Sequence, residues 1–419
     1  MDDSRELVHT MAARAQSAAR QMGTLSTQVK NAALLRMAAV LEAEESALIT
    51  HNARDLQRAA EAKLSSAMVD RLRLTPARIR EMARGLREVA ALPDPIGEVT
   101  RMWRRPNGLE IGTMRVPLGV IAFIYESRPN VTADAAALCL KSGNALILRG
   151  GSEAIHSNLA LCELLVKAAA EAGVPADALQ MIPKTDRGAI FELLKLDKYV
   201  DLVVARGGEE FIRTVVEQAC MPVIKHDKGL CHIYVDDEAD LTMAGNVAFN
   251  AKVQRPSVCN AMETLLVHRG VAERFLPSFC AQLRAARVEV RGCPETARLV
   301  PGVVLATEED WETEYLDLVL SIKVVPSLDE ALEHIARYSS KLSEGIITAN
   351  YDKARRFLHQ VDSAVVYVNA STRFTDGNQF GLGAELGIST QKLHVRGPMG
   401  LEALTSLKYI VYGAGQVRE

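Results

Sequence analysis

From residue 119 onward, short and wholly apolar runs alternate with amphipathic stretches, and this alternation restricts the possible folds more than any other feature of the chain. Runs of strand length fall at 119–125, 145–149, 179–182, 200–205 and 222–225. Helix-length stretches separate them at 132–141, 153–171, 186–194 and 208–219. Strands apolar on both faces, joined by helices, predict a parallel sheet covered on each side. The pattern resumes with strands near 233–235, 264–267, 319–325, 345–348 and 364–369, which predicts a second α/β domain. The first hundred residues read as helices. Thr75-Pro76 supplies a capping hydroxyl and a proline at the first helical position, after which Ile79, Met82, Leu86 and Val89 share one face. Two β-like pieces, 101–115 and 407–412, fit no βαβ unit and predict a small projecting layer.

Several function classes drop out. The net charge of −3 gives no field for nucleic acid or a membrane surface. No apolar run is long enough to span a bilayer, and the first residues contain no apolar signal core. The seven cysteines are odd in number and form no CxxC pair, which predicts reduced thiols and a cytoplasmic setting, with neither a disulfide framework nor a metal site. HExxH and GxxxxGK[ST] do not occur.

The chemistry-bearing residues are few. No GxGxxG follows the first strand, and Gly381-Leu382-Gly383 lies too far downstream to replace it. Arg149-Gly150-Gly151-Ser152 and Arg206-Gly207-Gly208 each follow a strand and open a helix, where backbone N–H groups attract anions. Each is a candidate cofactor contact or a plain βα turn. Cys259, in Gln254-Arg255-Pro256-Ser257-Val258-Cys259-Asn260, sits in a loop with cationic Lys252 and Arg255 nearby to favour a thiolate. A small buried apolar residue is the other reading of any cysteine. The stretch 369–400 is rich in Gly, Ser, Thr and Asn, too long for a plain connector, and so reads as functional.

Longer motifs carry a family resemblance. Val116-Pro117-Leu118-Gly119-Val120-Ile121 leads into Tyr125-Glu126-Ser127-Arg128-Pro129-Asn130-Val131, and Lys141-Ser142-Gly143-Asn144-Ala145 leads into Ile147-Leu148-Arg149-Gly150-Gly151. Gln254-Arg255-Pro256 precedes Cys259-Asn260, and Val368 to Gly377 is followed by Phe380-Gly381-Leu382-Gly383-Ala384-Glu385. Arg396-Gly397-Pro398-Met399-Gly400-Leu401 closes the set. In these motifs, spread over nearly the whole chain, it resembles the γ-glutamyl phosphate reductases of the aldehyde dehydrogenase superfamily.

The resemblance implies an α/β, aldehyde dehydrogenase-like fold. It would comprise a parallel-sheet cofactor domain (1–100 and 117–229), an α/β catalytic domain (230–400) and a small β oligomerisation layer (101–116 and 401–419). It implies NADPH-dependent reduction of L-glutamyl 5-phosphate to L-glutamate 5-semialdehyde through a cysteine thioester, with Cys259 as nucleophile and Asn130 as oxyanion donor. A plain helix cap is the competing role for Asn130. Arg149, Gly150, Gly151, Ser152, Gly207 and Gly208 would face the cofactor. Glu314 would hold its ribose, unless it is one more member of the acidic run around Glu308, Glu309 and Glu312. Arg128 and Arg373 would bind the substrate's phosphate and α-carboxylate in either order, or serve in structural ion pairs. A homo-oligomer is implied, as is a separate glutamate 5-kinase to supply the labile substrate. Hydrolytic relatives place a glutamate base where this chain reads Lys225-His226-Asp227-Lys228-Gly229, and no glutamate occurs between Glu217 and Glu238.

Overall fold

The computed structural model describes residues 2–225 and 228–418. The chain divides into two compact units, one of residues 1–225, 381–387 and 399–419, the other of residues 226–380 and 388–398.

In the first unit, five parallel strands lie in the order Leu179–Met181, Ala145–Gly150, Val120–Tyr125, Leu202–Ala205, Val223–Lys225. By position in the chain this is third, second, first, fourth, fifth, so the winding reverses between Val120–Tyr125 and Leu202–Ala205. A sheet of this kind opens a crevice at that switch point, beyond the carboxyl ends of its strands. All six residues of Val120–Tyr125 and of Ala145–Gly150 are buried, as their unbroken apolar character requires. The expected strand at 200–205 begins at Leu202 because Val200 closes the preceding turn through an N–H bond to Leu196 O.

The helices of the first hundred residues are capped as their sequences predict. Ser26, Ser65 and Thr75 accept from the N–H of Val29, Met68 and Arg78, and Pro76 opens Pro76–Ala91. Ile79, Met82, Leu86 and Val89 form that helix's buried face. The two unplaced β pieces become one antiparallel sheet: Glu110–Pro117 lies centrally between Val99–Arg104 and Thr405–Tyr412.

The second unit holds seven parallel strands, ordered Val304–Leu305, Glu289–Gly292, Val319–Val325, Met262–His268, Cys231–Val235, Ser343–Ile347, Val365–Val368. The first two were absent from the sequence reading. Val304–Leu305 is a two-residue edge strand and Glu289–Gly292 the short strand beside it, and Glu289-Val290-Arg291-Gly292 has no apolar run to announce it. A two-residue ladder, Ile388–Ser389 with Gly397–Pro398, gives order inside the loop-rich 369–400 stretch. Asp362 anchors its far end, accepting from Arg396 at 2.9 Å and pairing with Lys392 at 2.6 Å.

Asn144 joins three parts of the first unit. Its Oδ1 accepts from Gly119 N–H at 2.8 Å, and its Nδ2 donates to Ser142 Oγ and Leu404 O, each at 2.8 Å. Removing it strands buried polar partners, at about 1–3 kcal/mol for each group left unsatisfied. Asn144→Ala should therefore lower unfolding stability by at least that amount, measured by urea titration, while a change below 0.5 kcal/mol, a surface-like value, would contradict it.

Candidate active site

Cys259 lies between the helix Leu241–Val253 and the strand Met262–His268, at the amino edge of the second unit's sheet. Its side chain is half-buried and packs against Cys231, Leu342 and Ile388. Cys231 Sγ sits 3.4 Å from the Cys259 carbonyl oxygen. Gly229 comes so close beneath that a Cβ there would collide with the carbonyl and Cα of Cys259. Of the other six cysteines, Cys139, Cys162, Cys231 and Cys280 are buried, and burial pushes their thiols up, Cys162 to about 12 and Cys280 to about 11, whereas Cys220 is exposed and Cys293 half-buried. None of the seven is disulfide-bonded.

Segment 372–375 holds the residue after Cys259. The buried Asn260 donates its Nδ2 to Thr375 O at 2.8 Å, and its carbonyl accepts from Thr372 Oγ1 at 2.8 Å. Arg373 donates Nη1 to Asn260 Oδ1 and Nε to Gln254 Oε1, the latter at 2.9 Å. Burial pushes the Arg373 guanidinium down, Arg255 pushes the same way and Cys259 opposes them, so thiol and guanidinium lie within electrostatic reach. Lys252, read from sequence as a cation beside the thiol, is committed elsewhere. It is fully buried, with Nζ 2.5 Å from Glu263 Oε2, and desolvation lowers its pKa.

Glu314 sits half-buried in the loop before Val319–Val325. Its neighbours fix that loop: Leu316 N–H donates to Glu263 Oε1 at 3.2 Å, and Tyr315 Oη donates to Asp310 Oδ1 at 2.9 Å. The acidic residues around it, Glu308, Glu309 and Glu312, are exposed, with Glu308 in a surface pair with Arg337 at 2.6 Å, whereas Glu314 is half-buried. Asp236, Asp237 and Glu238 converge on Lys353, whose ammonium offsets part of their charge.

The remaining candidates belong to the first unit, at the carboxyl edge of its sheet. Asn130 is the first residue of the helix Asn130–Lys141, but it does not cap it. Its Nδ2 donates to Asp134 Oδ2 at 3.2 Å, one turn on, and the helix has no side-chain cap. Arg128 is half-buried two residues before it. Arg149 is almost wholly buried, donating Nη2 to Thr185 O at 2.8 Å, and its Nε has no partner. Gly150 and Gly151 are required by the chain itself: a Cβ would collide with Asn158 at the first and with the Glu153 carboxylate at the second. Ser152 is exposed and opens a 3₁₀ turn that ends in the buried Ala154. Gly207 and Gly208 lie at the switch point, where Gly208 starts Glu209–Gln218 without a side-chain cap and a Cβ on it would meet nothing within 4 Å.

Sequence reasoning missed Glu126, Glu153 and Asp134. Glu153 Oε1 accepts from Ser127 N–H at 2.6 Å, holding that residue's positive φ of 58°, and Glu126 Oε2 accepts from Gly208 N–H at 3.2 Å. Asp134 stands four residues after Asn130, the one signal that could have found it. His226 and Asp227, part of the stretch without a glutamate base, lie outside the described residues.

A family model described as aldehyde dehydrogenase matches residues 1–306. The chain belongs to the aldehyde dehydrogenase family. Among its relatives, a γ-glutamyl phosphate reductase of Moorella thermoacetica is 60% identical over 412 residues, covering 98% of this chain and 99% of that protein. A crystal structure of γ-glutamyl phosphate reductase from Thermotoga maritima shares 47% identity over 98% of this chain and 100% of its own, with a TM-score of 0.96. A Methanocaldococcus jannaschii glyceraldehyde-3-phosphate dehydrogenase complexed with NADP, 16% identical over 97% of this chain and 94% of its own, shares the aldehyde dehydrogenase fold at a TM-score of 0.69.

Enclosure pushes the Asp134 carboxyl up to about 6, against an opposing hydrogen bond from Asn130 and the Arg206 charge. Its folded pKa lies above the ordinary 3.8, so the folded state holds the proton more tightly. The stability this confers is complete at low pH and is lost as pH rises from about 4 through 6. Asp134→Asn, neutral throughout, should therefore gain thermal stability relative to the parent between pH 4.5 and 7.5. A difference in melting temperature that stays constant across that range would rule the raised pKa out.

Proposed function

We propose that this chain reduces L-glutamyl 5-phosphate to L-glutamate 5-semialdehyde and phosphate, the second step in making proline from glutamate. One observation carries the reading: the half-buried Cys259 thiol, on a loop held at both ends, occurs in a chain that matches γ-glutamyl phosphate reductases from end to end.

The Cys259 thiolate attacks the acyl carbon, and the negative charge passes to the former carbonyl oxygen. The Cys259 backbone N–H and the Asn130 side-chain amide are assigned to that oxyanion, where aimed donors lower the barrier most. Phosphate leaves and a thioester remains on Cys259. Bound NADPH would supply the hydride for this thioester, after which the Cys259 thiolate would leave as the aldehyde forms. Covalent catalysis thus divides one difficult displacement into two easier ones. Arg128 is assigned to an anionic end of the substrate, as a guanidinium suits either phosphate or carboxylate. A separate kinase supplies the labile acyl phosphate.

The first unit's sheet fits a dinucleotide. The helix start at Gly208 has no side-chain cap of its own, although Glu126 Oε2 accepts from the Gly208 N–H, and the buried Arg149 keeps a donor, Nε, without a partner. Cationic Arg149 also favours the 2′-phosphate of NADPH over NADH, while Glu314 is assigned to a ribose. The same fit leaves hydrolysis without its base, because no glutamate occurs between residues 217 and 238.

The three-stranded sheet is assigned to self-association. Val99, Met102, Leu407, Tyr409 and Val411 are exposed on its two outer strands, whose edges soluble proteins normally protect. Light scattering at micromolar concentration should give a dimer or larger species, and Tyr409→Asp should shift it toward monomer. A parent protein that is monomeric under these conditions would defeat the assignment.

The decisive experiment runs the reaction backwards. Glutamate semialdehyde and NADP should turn over only with inorganic phosphate, and coenzyme A should not replace it. Without phosphate, at most one reduced cofactor per active site should appear, with the acyl mass on Cys259. Cys259→Ser should abolish both burst and steady state. Sustained phosphate-free turnover to glutamate would mean hydrolysis and would overturn the reading.

A further inference from the structure

We infer that Arg373 is a positioning residue for the nucleophile, clamping the two ends of the Cys259 loop, and does not bind the substrate's anions. The inference rests on the reaction proposed above only in taking Cys259 as the nucleophile.

The geometry within the second unit is specific. Gln254 closes the helix Leu241–Val253 as its C-cap, and Asn260 follows Cys259 directly. The guanidinium of Arg373 reaches both, Nε to Gln254 Oε1 at 2.9 Å and Nη1 to Asn260 Oδ1. One planar group therefore spans a loop that returns on itself between residues 254 and 260. Asn260 cannot swing away, since Nδ2 and its carbonyl are held by Thr375 O and Thr372 Oγ1, both at 2.8 Å. Arg373 itself stands on the 3₁₀ turn Thr372–Phe374, capped by Ser371. Beneath that turn, the buried Thr375 hydroxyl is shared by Ser343 Oγ at 2.5 Å and Tyr367 Oη at 2.9 Å, tying it to two sheet strands.

The chemical consequence is twofold. The peptide whose N–H faces the oxyanion belongs to Cys259, and locking its neighbour Asn260 fixes where that N–H points. The guanidinium also brings a permanent positive charge within reach of the thiol, which favours the thiolate. A lysine could restore the charge. It could not donate in the fork that holds Gln254 and Asn260 together.

The test compares the full-length parent with Arg373→Met, Arg373→Lys and Gln254→Ala, in two assays. In the reverse reaction, Arg373→Met should lower kcat by about a hundredfold, the scale of a misplaced reacting group, with KM for phosphate unchanged within about twofold. In the second assay, iodoacetamide alkylation of Cys259 is followed by peptide mass against pH, without substrate. Arg373→Met should slow it and move its midpoint to higher pH, whereas Arg373→Lys should restore the midpoint but leave kcat low. Gln254→Ala, an exposed position that should fold even if Arg373→Met does not, should lower kcat severalfold with KM unchanged. A raised phosphate KM with kcat retained would make Arg373 the leaving-group ligand and overturn the inference. So would full kcat in Gln254→Ala or full rescue of kcat by lysine. Loss of the phosphate requirement in the parent would instead sink the proposed reaction, and the alkylation assay would still decide the clamp.

Discussion

A parallel sheet cannot turn one face to water, and much of this molecule follows from that constraint. Its crossovers place helices over both faces, so the strands in the middle of each sheet are covered on both sides. Val120–Tyr125 and Ala145–Gly150 are buried at every position, and Ser343–Ile347 likewise. Chemistry is thereby driven to the ends of strands, where the backbone leaves the sheet and meets solvent. The glycines at 207 and 208 lie at carboxyl ends, and the nucleophile loop lies at an amino end.

Several of the polar groups that enter the interior draw in a partner that fixes a loop. Glu263 takes Lys252 with one oxygen and the Leu316 N–H with the other, so one buried carboxylate braces both the nucleophile loop and the loop of Glu314. In the first unit the buried Lys141 ends its helix against Asn31 Oδ1 at 2.5 Å and Ala90 O at 2.8 Å. Lys30 pairs with Asp94 at 3.0 Å. Breaking one member of such a pair leaves an uncompensated charge, at about 3–5 kcal/mol. Buried pairs of this kind add little net stability against an apolar replacement, yet each specifies one loop conformation.

The legibility of the site divides along the same line. Cys259 could be chosen from seven thiols only through its surrounding motif, because exposure and packing are not written in composition. Lys252 differs for a related reason: a lysine seven residues before Cys259, in the last turn of the helix Leu241–Val253, looks like a free cation until its partner Glu263 is seen. Asn130 was open between cap and catalytic donor, and its hydrogen bond to Asp134 removes the cap. The strands Glu289–Gly292 and Val304–Leu305, at one margin of their sheet, escaped because they are only four and two residues long and partly exposed, with no sustained apolar run.

The sequence by itself determined the class of fold, the helix starts and the residue types that could do chemistry. These depend on local periodicity, capping and turn residues, which act over a few positions along the chain. Tertiary structure alone decided which charges are paired, which donors stay open and which way the nucleophile loop is held. Those outcomes rest on contacts such as Arg373 to Gln254 and Asn260, across 119 and 113 residues, and no local rule in the sequence encodes a partner so far away.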